Sequence, residues 1–163
     1  MTAIDHLRER TLRHPARFAG QLAPQPSLQV AILTCMDARI DVYKLFGVSE
    51  GQVHVLRNAG GVVTVDAIRS LAISQRKLGT RSIVLLHHTE CGLIDFPDDE
   101  FKAEIEAETG SRPPWASRSI RDLDDDLRDD VARLRSNAIV PHTDDVRAFV
   151  YDVATGEVRE VDV

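Results

Sequence analysis

The chain has 163 residues, of which 43% are hydrophobic and 28% charged, and its formal net charge is −6. That length fits one domain, here residues 1–163, on the usual scale of about 100–200 residues per domain, and the composition is that of a folded globular chain. An acidic balance argues against a nucleic-acid partner, which would want a basic stripe, and no apolar run approaches the ~18–20 residues needed to span a bilayer.

The first ten residues, Met1-Thr-Ala-Ile-Asp-His-Leu-Arg-Glu-Arg10, are polar and contain no signal-type apolar core, so a cytoplasmic protein is expected. A short helix over 3–13 is expected to stop at His14-Pro15, and Pro24-Gln25-Pro26 bars another, because proline fixes φ and removes a donor. The run 28–34 (Leu-Gln-Val-Ala-Ile-Leu-Thr) lacks polar alternation, as suits a strand covered on both faces. Residues 40–46 read as a helix ended by Gly47. A second strand, 53–56, runs into the glycine-bearing turn Arg57-Asn58-Ala59-Gly60-Gly61, where glycine permits backbone angles that other residues resist. In the helix expected over 62–78, Val65, Ile68, Leu71, Ala72 and Leu78 share one face, and Gly79 closes it.

Residues 82–87 form the third strand and 98–109 the next helix, followed by the rigid link Arg112-Pro-Pro-Trp115. Ser119 is a reasonable N-cap for the last helix, with Ile120, Leu123, Leu127, Val131 and Leu134 packing and Asp124, Asp125, Asp126, Asp129 and Asp130 on a solvated face. Ala154-Thr-Gly156 joins two strands as a hairpin. Strands alternating with helices predict an α/β domain with a mostly parallel sheet flanked by helices and a C-terminal hairpin.

Ligands of such sheets bind beyond the carboxyl ends of the strands. There the chain places its only two cysteines. Cys35 follows the first strand and precedes Asp37 and Arg39; His87, His88 and Cys91 follow the third. Cys35, His88 and Cys91 are donors of the kinds zinc prefers, and three such donors with a fourth position open, or held by an exchangeable carboxylate such as Asp37, is a catalytic pattern. The bland alternative is that each cysteine is plain core. A closed structural zinc module with Asp37 as permanent fourth ligand is a second alternative. A dithiol redox protein is a third, weakened by the absence of Cys-x-x-Cys. His87 points away from His88 and reads as packing or as an outer support of the ligands. Gly92 is expected to open a helix whose amides favour the thiolates.

Cys35-x-Asp37-x-Arg39, Arg57-Asn58-Ala59-Gly60 and His88-x-x-Cys91-Gly92, in this order and spacing, resemble the β-class carbonic anhydrases, most closely the small bacterial members. The resemblance implies one Zn2+ per chain on Cys35, His88 and Cys91, and reversible hydration of CO2 to bicarbonate by a zinc-activated hydroxide. It implies that Asp37 and Arg39 form a dyad in which Asp37 either orients the attacking group or takes the fourth metal position. It also implies a homodimer or a dimer of dimers, with the substrate cleft at the subunit interface. Asn58, Gly60 and Gly61 fall on the cleft wall. Two positions depart from the family pattern. His54 stands where a cleft phenylalanine is common, and Gln25, followed by Pro26, is near the place of a cleft glutamine. Relatives that hydrolyse carbonyl sulfide or carbon disulfide share the zinc motif, so such a hydrolase is the alternative activity.

Overall fold

In the computed structural model, which describes residues 2–13 and 20–163, the apolar runs become the strands of one sheet. Helix α1 (Ala3–Arg13) leads into β1 (Val30–Cys35), α2 (Val42–Phe46), β2 (Val53–Asn58), a 3-10 turn (Ala59–Gly61), α3 (Val65–Leu78) and β3 (Ser82–His88). Then come α4 (Asp98–Thr109), α5 (Leu123–Arg135), β4 (Val146–Tyr151) and β5 (Val158–Val161). The strand order is β2-β1-β3-β4-β5. Neighbours from β2 to β4 run parallel, and β5 pairs antiparallel with β4. The mostly parallel sheet and the terminal hairpin are therefore as expected; the break expected at His14-Pro15 lies outside the described residues.

Both faces of the sheet are covered, which is why its central strands lack polar alternation. One face packs Ala31, Leu33, Ile83 and Leu85 against Leu71 of α3 and Leu127, Val131 and Leu134 of α5. The other packs Ile32 and Leu86 with Ile40, Val42 and Ile120. Each such buried Leu or Ile stabilises the fold by roughly 1.5–3 kcal/mol. The helix ends follow local chemistry: Thr64 Oγ1 accepts from the Ala67 amide at 3.1 Å, and Gly79 closes α3 at φ +79°.

Several local expectations shift. β1 opens at Val30 rather than Leu28, because Gln29 has a φ of +56° and leaves the extended region. Val65 is the first residue of α3 and is 86% exposed, so the packed stripe lacks it. The cap of α5 is Asp122, not Ser119: its carboxylate accepts from the amides of Asp124 and Asp125 at 2.9 and 3.0 Å. No helix starts at Gly92; the chain turns there instead. The acidic face of α5 is not solvated throughout, for Asp130 is 0% exposed and Asp126 is half-buried.

Candidate metal centre

β1 and β3 are adjacent and parallel, with Thr34 opposite Leu86, so their carboxyl ends lie side by side. Cys35 ends β1, His88 ends β3, and the turn after β3 returns Cys91 to the same place. The two sulfurs are 3.9 Å apart, and one donor atom from each of Cys35, His88 and Cys91 lies within 4.8 Å of the others. All three residues are buried.

His88 settles what this cluster can hold. Its Nδ1 lies 2.9 Å from the Thr89 carbonyl, which can only accept, so Nδ1 carries the proton. Nε2 is buried and without a hydrogen-bond partner, and in the neutral ring it is the lone-pair nitrogen. A buried polar atom left without a partner is costly, and a cation among the three donors would complete it. The second ring nitrogen, fixed by a carbonyl, is how metal-bound imidazoles are oriented. Two sulfurs and one neutral imidazole suit zinc, and the residues fit one ion per chain.

The surroundings favour thiolate. The Cys91 thiol donates to Cys35, lowering the Cys35 pKa well below its ordinary value; the amides of Asp37 and Gly60 add to this against the opposing effect of burial. The same contact, with burial, pushes Cys91 up, while the Leu93 amide draws it down. A dication between the sulfurs would take the place of the shared proton.

Asp37 is held by Arg39. Nε donates to Oδ1 at 3.0 Å, Nη2 to Oδ2 at 2.8 Å, and the Arg39 amide to Oδ1 at 2.8 Å. These bonds hold the Asp37 carboxyl far below the usual range. Asp37 Oδ2 also stands 3.9 Å from His88 Nε2, so the carboxylate borders the three donors. The far edge of the guanidinium is anchored by Glu90, through Oε2 at 2.9 Å and the backbone carbonyl at 3.1 Å.

Arg57 ties down the intervening loop, donating to the carbonyls of Cys35 at 2.9 Å and Ile40 at 3.2 Å and also to that of Asp37. The anchoring by Glu90 and Arg57 is not visible in the sequence. Glu90 sits inside the His-x-x-Cys spacing, but its partner is 51 positions away.

The residues expected around the cleft separate. Asn58 is opposite Cys35 in register, and its side chain bonds the amide and carbonyl of Val62 at 3.0 and 2.8 Å, closing the turn. Gly60 and Gly61 are buried beside the metal site, at φ +81° and +71°. His54 is turned from the donors within this chain: Val53 and Val55 pack with the Cys35 side of the sheet, and His54 Nδ1 lies 2.8 Å from Ser74 Oγ of α3. Gln25 is exposed in the segment before β1.

His87, on the opposite sheet face, faces α5. Burial holds its pKa down to about 4 and pushes Asp126 up to about 6. His87, Asp126 and Asp130 also present donor atoms within 4.8 Å of one another. Both Asp130 oxygens are already taken, by the Val63 amide at 2.7 Å and by Arg118 at 2.6 Å. The guanidinium supplies the positive charge at Asp130, which is committed to that ion pair, while His87 Nε2 and Asp126 Oδ2 face each other at 3.8 Å.

Comparison with known proteins agrees with this geometry. A family model described as carbonic anhydrase matches residues 30–130. Beta-carbonic anhydrase 1 of Mycobacterium tuberculosis is 50% identical over 161 residues, covering 99% of both chains. Carbon disulfide hydrolase of Saccharolobus solfataricus is 32% identical over 154 residues, covering 79% of this chain and 75% of that one. The crystal structure of carbonic anhydrase from Streptococcus mutans superposes with a TM-score of 0.89 at 36% identity, over 99% of each chain. With the motif order, the sheet and the donor cluster in agreement, the chain belongs to the β-class carbonic anhydrase family.

Proposed function

We propose that the protein is a carbonate dehydratase that converts CO2 and water to bicarbonate and a proton, reversibly, at Cys35, His88 and Cys91. The observation that carries this reading is the buried, unpartnered Nε2 of His88 grouped with two free thiols, with the Asp37 carboxylate at its border. A bound zinc ion supplies Lewis acidity that brings the pKa of water toward neutrality.

The chain's own groups do the rest. Arg39 keeps Asp37 anionic and fixed, so Asp37 can accept a hydrogen bond from the attacking water and aim its oxygen lone pair at the carbon of CO2. Glu90 and Arg57 hold the loop that carries this pair. Freed from Arg39, Asp37 would instead take the fourth ligand position and close the site; the Arg39–Asp37 ion pair supports the open arrangement. Asn58, Gly60 and Gly61 shape the wall beside Cys35, while His54 and Gln25 contribute only where a second subunit brings them to a cleft.

We further propose that residues 1–163 act as one domain within a homodimer or a dimer of dimers. A reducing, cytoplasmic setting suits two cysteines that must stay free to bind metal. No helix among the described residues is long and apolar enough to cross a membrane.

Hydrolysis of carbon disulfide or carbonyl sulfide is the second reading, favoured by the 32% identity to a carbon disulfide hydrolase. The 50% identity over nearly the whole chain favours CO2. Stopped-flow CO2 hydration and sulfide release from carbonyl sulfide and carbon disulfide, run on one preparation, decide between them. Hydration without appreciable sulfide release is expected; sulfide release without hydration would move the assignment to the hydrolase.

A further inference from the structure

We propose that Asp130, on the far side of the sheet from the donors, is a positioning residue for the metal centre, acting on Cys35 through the turn at residues 59–63. This rests on the reading of Cys35, His88 and Cys91 as metal ligands. The path is a sequence of short contacts. Asp130 is 0% exposed on α5, and its Oδ2 accepts from the amide of Val63, the last residue of the turn, at 2.7 Å. Asn58 bridges the turn to Val62. Inside it, Gly61 lies so close to β1 that a Cβ there would fall 2.6 Å from the Cys35 nitrogen and 2.7 Å from the Thr34 carbonyl carbon. The Gly60 backbone amide also favours the Cys35 thiolate. A carboxylate on α5 thereby fixes the height of a turn that lies against the backbone of one ligand and favours its thiolate.

The charge pattern supports a directional role. A buried ion pair is weak support for stability compared with apolar packing, yet Asp130 occupies a place inside the apolar stripe of α5, between Leu127 and Leu134. Arg118, at 2.6 Å from Oδ1, balances the charge and leaves Oδ2 for the single amide of Val63. An amide pointing at a thiolate withdraws electron density from it. If the turn lifts, Cys35 donates more strongly to the metal and is less well placed to bind it.

Cobalt(II) substitution reads this directly, because the thiolate-to-cobalt charge-transfer band moves with sulfur donation. Asp130→Ala should shift that band to lower energy and weaken zinc binding, measured by competition with a chelator, about 10–100-fold, the usual range for outer partners of a ligand. Asp130→Asn keeps an acceptor for the Val63 amide and should stay close to the parent. Arg118→Gln breaks the ion pair but leaves that contact, and should lower thermal stability without moving the band. Leu134→Ala, on the same helix, reports what lost packing alone does. Asp130→Ser, too short to reach Val63, replaces Asp130→Ala if the latter does not fold, with the same expected shift. A parent-like band and affinity in Asp130→Ala, or in Asp130→Ser in its place, would overturn the proposal, as would an equal shift in Arg118→Gln or Leu134→Ala. Failure of the unsubstituted protein to bind cobalt or zinc would instead overturn the ligand assignment itself.

Discussion

Replacing Gly61 by alanine tests the link between backbone and metal site in one step. Two costs add. At φ +71° an L-residue sits in the left-handed region, at about 1–2 kcal/mol. The new Cβ would also stand 2.6 Å from the Cys35 nitrogen and 2.7 Å from the Thr34 carbonyl carbon, both backbone atoms of a central strand that cannot rotate aside. Relieving such overpacking costs typically ~1–3 kcal/mol. The sum is about 2–5 kcal/mol, and at roughly 2–4 °C per kcal/mol for a chain of this size the melting temperature should fall by some 4–20 °C. Because the clash is with Cys35 itself, zinc affinity should fall with it. Circular-dichroism melts of the metal-free protein, paired with chelator competition on the same samples, measure both. A melting temperature within 2 °C of the parent, with unchanged affinity, would refute the close approach of the turn to β1.

Other outcomes follow from the same geometry. Arg39→Ala removes both side-chain bonds to Asp37 and should cut turnover about a hundredfold, the scale of losing orientation at the reacting atoms; a crystal structure of the zinc-loaded variant should find Asp37 turned to the metal, and near-normal turnover would remove the pair from the mechanism. Chelation should abolish CO2 hydration yet leave the far-ultraviolet circular dichroism intact, since the sheet core is built from apolar side chains; unfolding on metal removal would mark a structural site instead. In the His87–Asp126 pair, the folded protein keeps one proton on Asp126 between about pH 4 and 6, whereas the unfolded chain keeps it on the histidine, so the two contributions to the pH slope cancel. Asp126→Asn leaves only His87, whose folded pKa is depressed. Stability of that variant should then fall as pH drops from about 6.5 to about 4 relative to the parent, and a melting series with the opposite slope would contradict the burial of this pair.

The strands and the donor set were legible because their signals are local. Unalternating apolar runs mark doubly covered strands, and soft donors just past their ends mark a ligand site. Neither needs a distant partner to be recognised. The acidic face of α5 shows where that fails. Asp130 lies three residues after Leu127 and four before Leu134, so helical spacing alone puts it on the buried stripe; five aspartates in one helix obscured that signal. Asp122 displaced Ser119 as the cap because Ile120 is drawn into the core beside Ile94, which ends any helix extending that far. Arg57 and Glu90 acquire their roles only when β2 and the turn after β3 are laid against the loop following Cys35, and no spacing in the sequence announces such contacts.

The most direct test of the central claim is stopped-flow CO2 hydration at pH 7 and 8.5, with zinc content determined on the same sample. Two thiolate ligands would neutralise the formal charge of a bound zinc ion and would leave its water less acidic than three imidazoles would, so the expected result is one zinc per chain and a rate that rises between the two pH values. Stoichiometric zinc with no hydration at either pH, or hydration with no bound metal, would contradict the account.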